Sequence, residues 1–387
     1  MFRSPGFPAA TVLLSLLLAS CQAAAQVSPT TDVDSLMTQA VQTAFAGITT
    51  PTPMPTETAL PTATMPPRTP PALPPVFTTT YLNPLDTPHT YVNDTCQYLQ
   101  DKWNPNNAAP GTIVFVIMFH GINKDASNMD TNDITVQNFN RLMNDMHDMG
   151  FEAINTEQLA NFLEHNARIP SRSVVLTYDD RKRAEAFEHF RPYAEQWGWP
   201  VINGWISAFG GADVFLQENV NLASEGWIDY QAHGVIHNIP MSDASTDDFL
   251  TGELQGSITN LQTYFHKTPI AIIWPGGGFG VRPVQFARQY GYRLGFTVNP
   301  RGPFMYNWVP LGDQLDPQRP YYIPEGPAGD PLMTLPRYWP HQVEANLDAI
   351  RVMGNEAAAY AKANKAVELE YYDIVCAPTH GPIPAPQ

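Results

Sequence analysis

Apolar and polar positions along most of this chain switch back and forth between two periods. From Thr112 the run "TIVFVIMF" is continuously apolar, the pattern of a strand buried on both faces. Next, "TVQNFNRLMNDMHDMG" sets Val136, Phe139, Leu142, Met143 and Met146 on one helical stripe, with Gly150 as its stop. The alternation then repeats. "FEAI", "SVVLTY", "PVING", "GWIDYQA", "PIAIIW" and "YRLGFTV" read as strands. Between them, "NTEQLANFLEH", "DDRKRAEAFEHFRPYAEQW", "STDDFLTGELQGSITNLQTYF" (with a capping box at Ser245 and Asp248) and "RPVQFARQY" read as helices. Repeated strand–helix units with apolar strands predict an α/β fold, and their number favours a distorted (β/α) barrel with about seven parallel strands over an open sheet.

Ahead of Gly111 that pattern is absent. Residues 1–20 hold one cation, Arg3, and an apolar run from Ala9 to Ala19 too short to span a bilayer, which reads as an export signal. It ends in "LASC", which resembles a lipoprotein lipobox with Cys21 as the lipid-bearing residue; a plain secretory signal cleaved near Ala25 is the alternative. Thr49–Pro75 is dominated by Pro and Thr, so residues 21–80 are expected to form an extended tether and residues 81–387 the barrel with a C-terminal extension. The expected location is outside the cytoplasm, lipid-anchored to the cell membrane, or secreted if Cys21 carries no lipid.

A net charge of −16 excludes nucleic acid as the partner. With Cys21 assigned to the lipobox, Cys96 and Cys376 remain, one near each end of the folded region, and in an oxidising compartment they are expected to form a disulfide. No sequence feature points to an obligate protein partner.

In a parallel barrel the strand C-termini carry the active site, and there the polar residues gather: His120, the adjacent Asp179 and Asp180, His233, then Trp274 and the glycines after it. Taken alone, Asp179 and Asp180 read most simply as a helix cap, and His233-x-x-x-His237 as surface histidines. Taken together, a carboxylate and two imidazoles form a catalytic zinc set with an open position for water, and a second acid is left to move a proton.

The motifs "TYDDR", "HGVIH" and "WPGGG", with the lead-in "IMFHGI", resemble in order and spacing those of the polysaccharide deacetylases, the NodB-homology family of carbohydrate esterases, over roughly Gly111 to Arg337. The resemblance implies a divalent metal, most simply Zn²⁺, on Asp180, His233 and His237, with Asp179 as general base. It also implies an acetylated polysaccharide substrate, an oxyanion donor near Gly276, and substrate contacts from His120, Arg181, Trp274, Pro275, Gly276, Gly277 and Arg337. The chain departs from the family at Arg181 (Gly there), Gly234 (Ser or Thr), Ile273 (Arg) and Gly276 (Tyr). Arg181 is expected to supply the missing cation beside Asp179, while "LPRY" at Leu335–Tyr338 resembles a segment of exopolysaccharide deacetylases. The family's late Leu-x-His is missing, leaving His341, His380 and His120 as candidate proton donors, with His341 taken as the acid. Trp205, Trp227, Trp274 and Trp339 are candidates for a sugar platform, at least half of them more simply core. The function implied is removal of acetyl groups from N-acetylated amino sugars of cell-wall or extracellular polysaccharide; an O-acetyl esterase and a non-catalytic carbohydrate-binding lipoprotein are the alternatives.

Overall fold

The computed structural model describes residues 68–124, 130, 132–180, 182–208, 214–236 and 239–386. The export signal, Cys21, most of the tether, Arg181 and His237 lie outside the described residues. Seven parallel strands form one curled sheet: β2 (Ile113–Phe119), β5 (Glu152–Ala153), β6 (Arg172–Tyr178), β7 (Val201–Trp205), β8 (Ile228–Ala232), β9 (Ala271–Ile273) and β10 (Leu294–Phe296). The order is β10-β9-β8-β7-β6-β2, with β5 beside the start of β6. With helices packed around it, this is the expected distorted (β/α) barrel. Every residue of β2, β7 and β8 is buried, the polar Asn203, Asp229 and Gln231 included, so these strands are covered on both faces.

The two edges of the sheet do not pair with each other directly. The extended segment Leu335–Tyr338 lies between them: Leu335 donates to Gly295 O at 2.8 Å and accepts from Thr297 N at 2.9 Å, while Tyr338 donates to Val116 O at 2.8 Å and accepts from Met118 N at 2.9 Å. This segment pairs with both open edges, and Phe304 adds a two-way pairing with Val114 on the β2 side, so N–H and C=O groups there find partners.

The stripe predicted after β2 is helix α2 (Val136–Asp148), which buries Phe139, Leu142, Met143 and Met146. Other boundaries moved. The helix expected from Asp179 begins only at Ala184, as a short 3₁₀ turn continuing into Arg191–Trp197, so Asp179 and Asp180 cap nothing. Helix α6 (Asp247–Phe265) is capped by Thr246, whose side chain accepts from Phe249 N, in place of Ser245. The helix α5 (Val214–Ala223) was not anticipated, nor the 32-residue helix α8 (Pro340–Tyr371). Residues 68–80, expected as tether, are partly docked on the domain: Tyr360 Oη donates to Pro75 O at 2.7 Å and Trp308 Nε1 to Phe77 O at 2.8 Å. Strand β1 (Asp86–His89) then pairs antiparallel with β11 (Val309–Gly312), and helix α1 (Thr95–Trp103) carries Cys96, disulfide-bonded to Cys376 as expected. Among the described residues no helix is long and apolar enough to cross a membrane.

Candidate active site

A cavity of about 670 Å³ opens at the C-terminal ends of the strands, lined by His120, Asp179, Asp180, His233, Arg337 and Trp339 among others. The two adjacent acids face different partners. Asp179, at the end of β6 and 1% exposed, accepts a hydrogen bond from Arg337 Nη1 at 2.7 Å through Oδ2. The same guanidinium donates to Thr177 Oγ1 at 3.0 Å and, through Nε, to Thr297 O at 2.7 Å, so the fork is fixed on three acceptors. Asp179 Oδ1 is buried with no hydrogen-bond partner among the described residues. Gly204 of β7 makes room for it: a Cβ there would lie 2.9 Å from that oxygen and 2.8 Å from Ile273 Cδ1.

Asp180 sits at φ +72°, a left-handed conformation that Asp tolerates better than most residues and that costs energy held for a purpose. Its Oδ1 stands 3.4 Å from His233 Nε2. His233 Nδ1 lies 2.8 Å from Ile273 O, and since a carbonyl only accepts, Nδ1 carries a proton. Nε2 and a carboxylate oxygen therefore face each other as two electron-rich atoms unless a positive charge lies between them, a proton or a metal ion. Burial by itself would lower the His233 pKa, but the Asp180 hydrogen bond and the Asp179 and Asp180 charges outweigh it and raise it. Burial opposes ionisation of Asp180 too, and is outweighed by the His233 contact with the charges of His233, His120 and Lys182, which holds the carboxyl well below the usual range. A backbone carbonyl fixing the far nitrogen of an imidazole is how metal-ligating histidines are oriented. Asp180 and His233 are of the donor types that could hold a divalent cation; among the described residues no third His, Cys, Asp or Glu joins them.

His120 follows β2 and lines the same cavity, its Nε2 3.8 Å from Asp179 Oδ2 and its ring 4.7 Å from that of Trp339. Burial lowers its pKa, against the Asp179 charge. His341 is instead exposed on the first turn of α8 and does not line the cavity, while His380 stands 3.4 Å from Asp94 at the far end of the chain. Among the described residues the cation on Asp179 is Arg337; Arg181, expected in that part, lies outside them. Trp205 and Trp274 are fully buried, the latter donating to Met333 O; Trp274 and Trp339 both line the cavity. Gly276 and Gly277 line it as well, both at positive φ, but Pro275 does not.

Glu253 of α6 was not anticipated. It is buried, and its carboxylate accepts from Val235 N at 2.7 Å and from Ile236 N at 3.1 Å, in the turn directly after His233. Gly234 takes φ +76° there, and a Cβ on it would lie 2.7 Å from Glu253 Oε2. A glycine where the related motif has Ser or Thr was the available signal: the turn's N–H groups need another acceptor, and this one comes from a distant helix.

A scan against protein-family models and a search of curated proteins match nothing. Among solved structures, the chain is similar to a deacetylase of Streptococcus pyogenes in complex with acetate, at 20% identity and a TM-score of 0.49, covering 62% of this chain and 99% of that one. It is also similar to a polysaccharide deacetylase from Bacillus cereus (18%, TM-score 0.46, 61% and 69% covered) and to IcaB from Ammonifex degensii (15%, TM-score 0.42, 49% and 85% covered). At these identities, what the site does rests on its own residues.

Proposed function

We propose that this chain is a metal-dependent hydrolase that removes acetyl groups from N-acetylated amino sugars of cell-wall or extracellular polysaccharide. The observation that carries the reading is the division of labour between neighbours: Asp180 turns to His233, while Asp179 is held by Arg337 with one oxygen that has no partner among the described residues. Asp180 and His233 would hold the ion, with His237 as the third ligand implied by the motif, and an oxygen and nitrogen donor set suits zinc. Zinc, when bound, polarises the acetyl carbonyl and acidifies the attacking water. Asp179 takes the water's proton. Arg337 holds that carboxylate in place and aimed until it does so. The leaving amine needs a proton in turn, and His120, neutral because it is buried, is placed to accept one from Asp179 and release it. Trp339 covers His120 and limits water on that side. An export signal with a lipid on Cys21 would set this activity outside the cytoplasm, at the membrane, facing its polymer.

The test is acetate release by the full chain from N-acetylglucosamine oligomers and from O-acetylated glycan, with and without zinc. Zinc-dependent release from the N-acetylated substrate is expected, lowered by about 10²–10⁴-fold in Asp179→Asn. A zinc-loaded protein that releases acetate from neither substrate overturns the reading; release from the O-acetylated glycan alone makes it an esterase.

A further inference from the structure

The loop after β11 holds three of the molecule's exposed large apolar side chains within nine residues: Leu315 at 56%, Tyr321 at 91% and Ile323 at 47%. Tyr322, between them, lines the cavity of the candidate active site. Such a loop would ordinarily be loose. This one is bolted down by buried charge: Arg319 forms a fork on Asp86 at 2.8 and 2.9 Å, and Arg301, fully buried, bridges Asp86 and Glu325 at 3.0 Å each. Asn299 donates to Ile323 O at 2.8 Å and to Glu325. Taking that many charges out of water is costly, and such a network is weak evidence for stability; what it does is hold one conformation. The strip Thr297–Asn299 also receives Arg337, through Thr297 O and through Arg337 N to Asn299 O at 3.2 Å. One stretch of backbone thus sets the position of both the arginine on Asp179 and the loop that presents the tyrosines.

We infer that Tyr321 and Tyr322 form a sugar-binding subsite beside the cavity, which takes the residues of a neutral glycan chain flanking the acetylated sugar. The inference rests on the hydrolase reading for the identity of the ligand and not for its geometry. A tyrosine ring offers a flat apolar face with a polar edge, the complement of a pyranose with its C–H face and hydroxyl rim. Held in place before binding, it costs little entropy to use. Charge selects between a glycan and the other surface that exposed Tyr, Leu and Ile would suit, an anionic membrane. The cavity carries four acids, Asp130, Asp133, Asp179 and Asp180, against two cations, Lys182 and Arg337, and the chain's net charge is −16, both of which disfavour anionic lipid.

The test is calorimetric titration of the zinc-free full chain with N-acetylglucosamine dimer and hexamer, which reads binding without catalysis. The wild type is expected to bind the hexamer about tenfold more tightly than the dimer. Tyr321→Ala and Tyr322→Ala should each bring that ratio towards one, and Tyr321→Phe should keep it; Tyr321 is exposed enough that the fold survives its loss. A wild-type ratio near one, or a ratio untouched by both alanine variants, overturns the subsite. So does binding to phosphatidylglycerol vesicles that Tyr321→Ala abolishes while oligosaccharide affinity stays the same. Hexamer preference without any acetate release sinks the hydrolase reading and leaves the subsite; acetate release with an insensitive ratio sinks the subsite alone.

Discussion

Arg337 stands 158 residues from Asp179 along the chain and donates to it across 2.7 Å. A lysine would keep the charge and lose the fork that also grips Thr177 and Thr297. Arg337→Lys should therefore lower kcat on acetylated oligomers by about 10²-fold or more, the scale of one misaligned electrostatic contact in a dry site, with KM changed little. Steady-state kinetics decides it, and an equal loss in KM alone would make Arg337 a substrate contact. Replacement by Met should be worse for the fold, since it takes the hydrogen-bonded guanidinium away from a buried carboxyl group, at about 3–5 kcal/mol. Asp179, Asp180, His120 and His233 were legible in the sequence as polar residues gathered where strands end, and all four line the cavity. Arg337 was singled out too, but as a substrate contact and not as a cation on Asp179. The reason is topological: which distant segment closes the barrel cannot be read from periodicity, and Leu335–Tyr338 is too short and too proline-broken to announce itself as a strand.

At the scale of elements, the turn after β8 shows how a missing side chain is replaced by an added helix contact. Val235 and Ile236 present their N–H groups to Glu253, and Gly234 leaves space for the carboxylate to arrive. Glu253→Ala should orphan both donors and loosen the chain between His233 and His237. Zinc affinity, measured by competition with a chromophoric chelator, is then expected to fall about 10–100-fold, the usual effect of removing an outer partner of a metal site. Glu253→Gln, which keeps one acceptor oxygen, should recover part of it. Gly234→Ala, forced into positive φ and against Glu253, should resemble the alanine variant. Unchanged zinc affinity in all three, even with lower thermal stability, would reduce Glu253 to packing. Strand and helix identity was legible wherever the apolar period was strong, as in β2, β6 and α2. It failed for α5, whose "VFLQENVNLA" shows little amphipathic contrast and buries only Asn219 and Leu222. It failed again for α8, although Val343, Leu347, Ile350 and Met353 form a helical stripe in its first half; beyond it only Ala357 and Ala361 continue the buried apolar line.

For the whole molecule, the disulfide joins segments 280 residues apart and fastens α1 to the end of α8. Residues 68–77 run along the same region, with Phe77 tilted against Trp308 and Tyr360 at 5.8 and 5.7 Å and Arg68 paired with Glu370 and Asp373. The Cys pairing was legible from position and compartment alone; the docking of the Pro-rich stretch was not, since its composition speaks only of stiffness. The two ends of the domain are thus latched together, whereas Asp179, Asp180 and His233 stand at the ends of strands that carry neither cysteine. Stability and chemistry should separate accordingly. In the Cys96→Ser, Cys376→Ser double variant, closing the long loop is no longer free of entropy cost, and unfolding is expected to become easier by about 2–5 kcal/mol. Urea titration followed by tryptophan fluorescence reads that loss. Zinc affinity and kcat/KM, measured well below the melting temperature, should stay within about twofold of the wild type, as additivity predicts for distant sites. A parallel fall in zinc affinity would show that the latch reaches the strand ends, and that the barrel cannot hold His233 and Asp180 together unless its termini are tied.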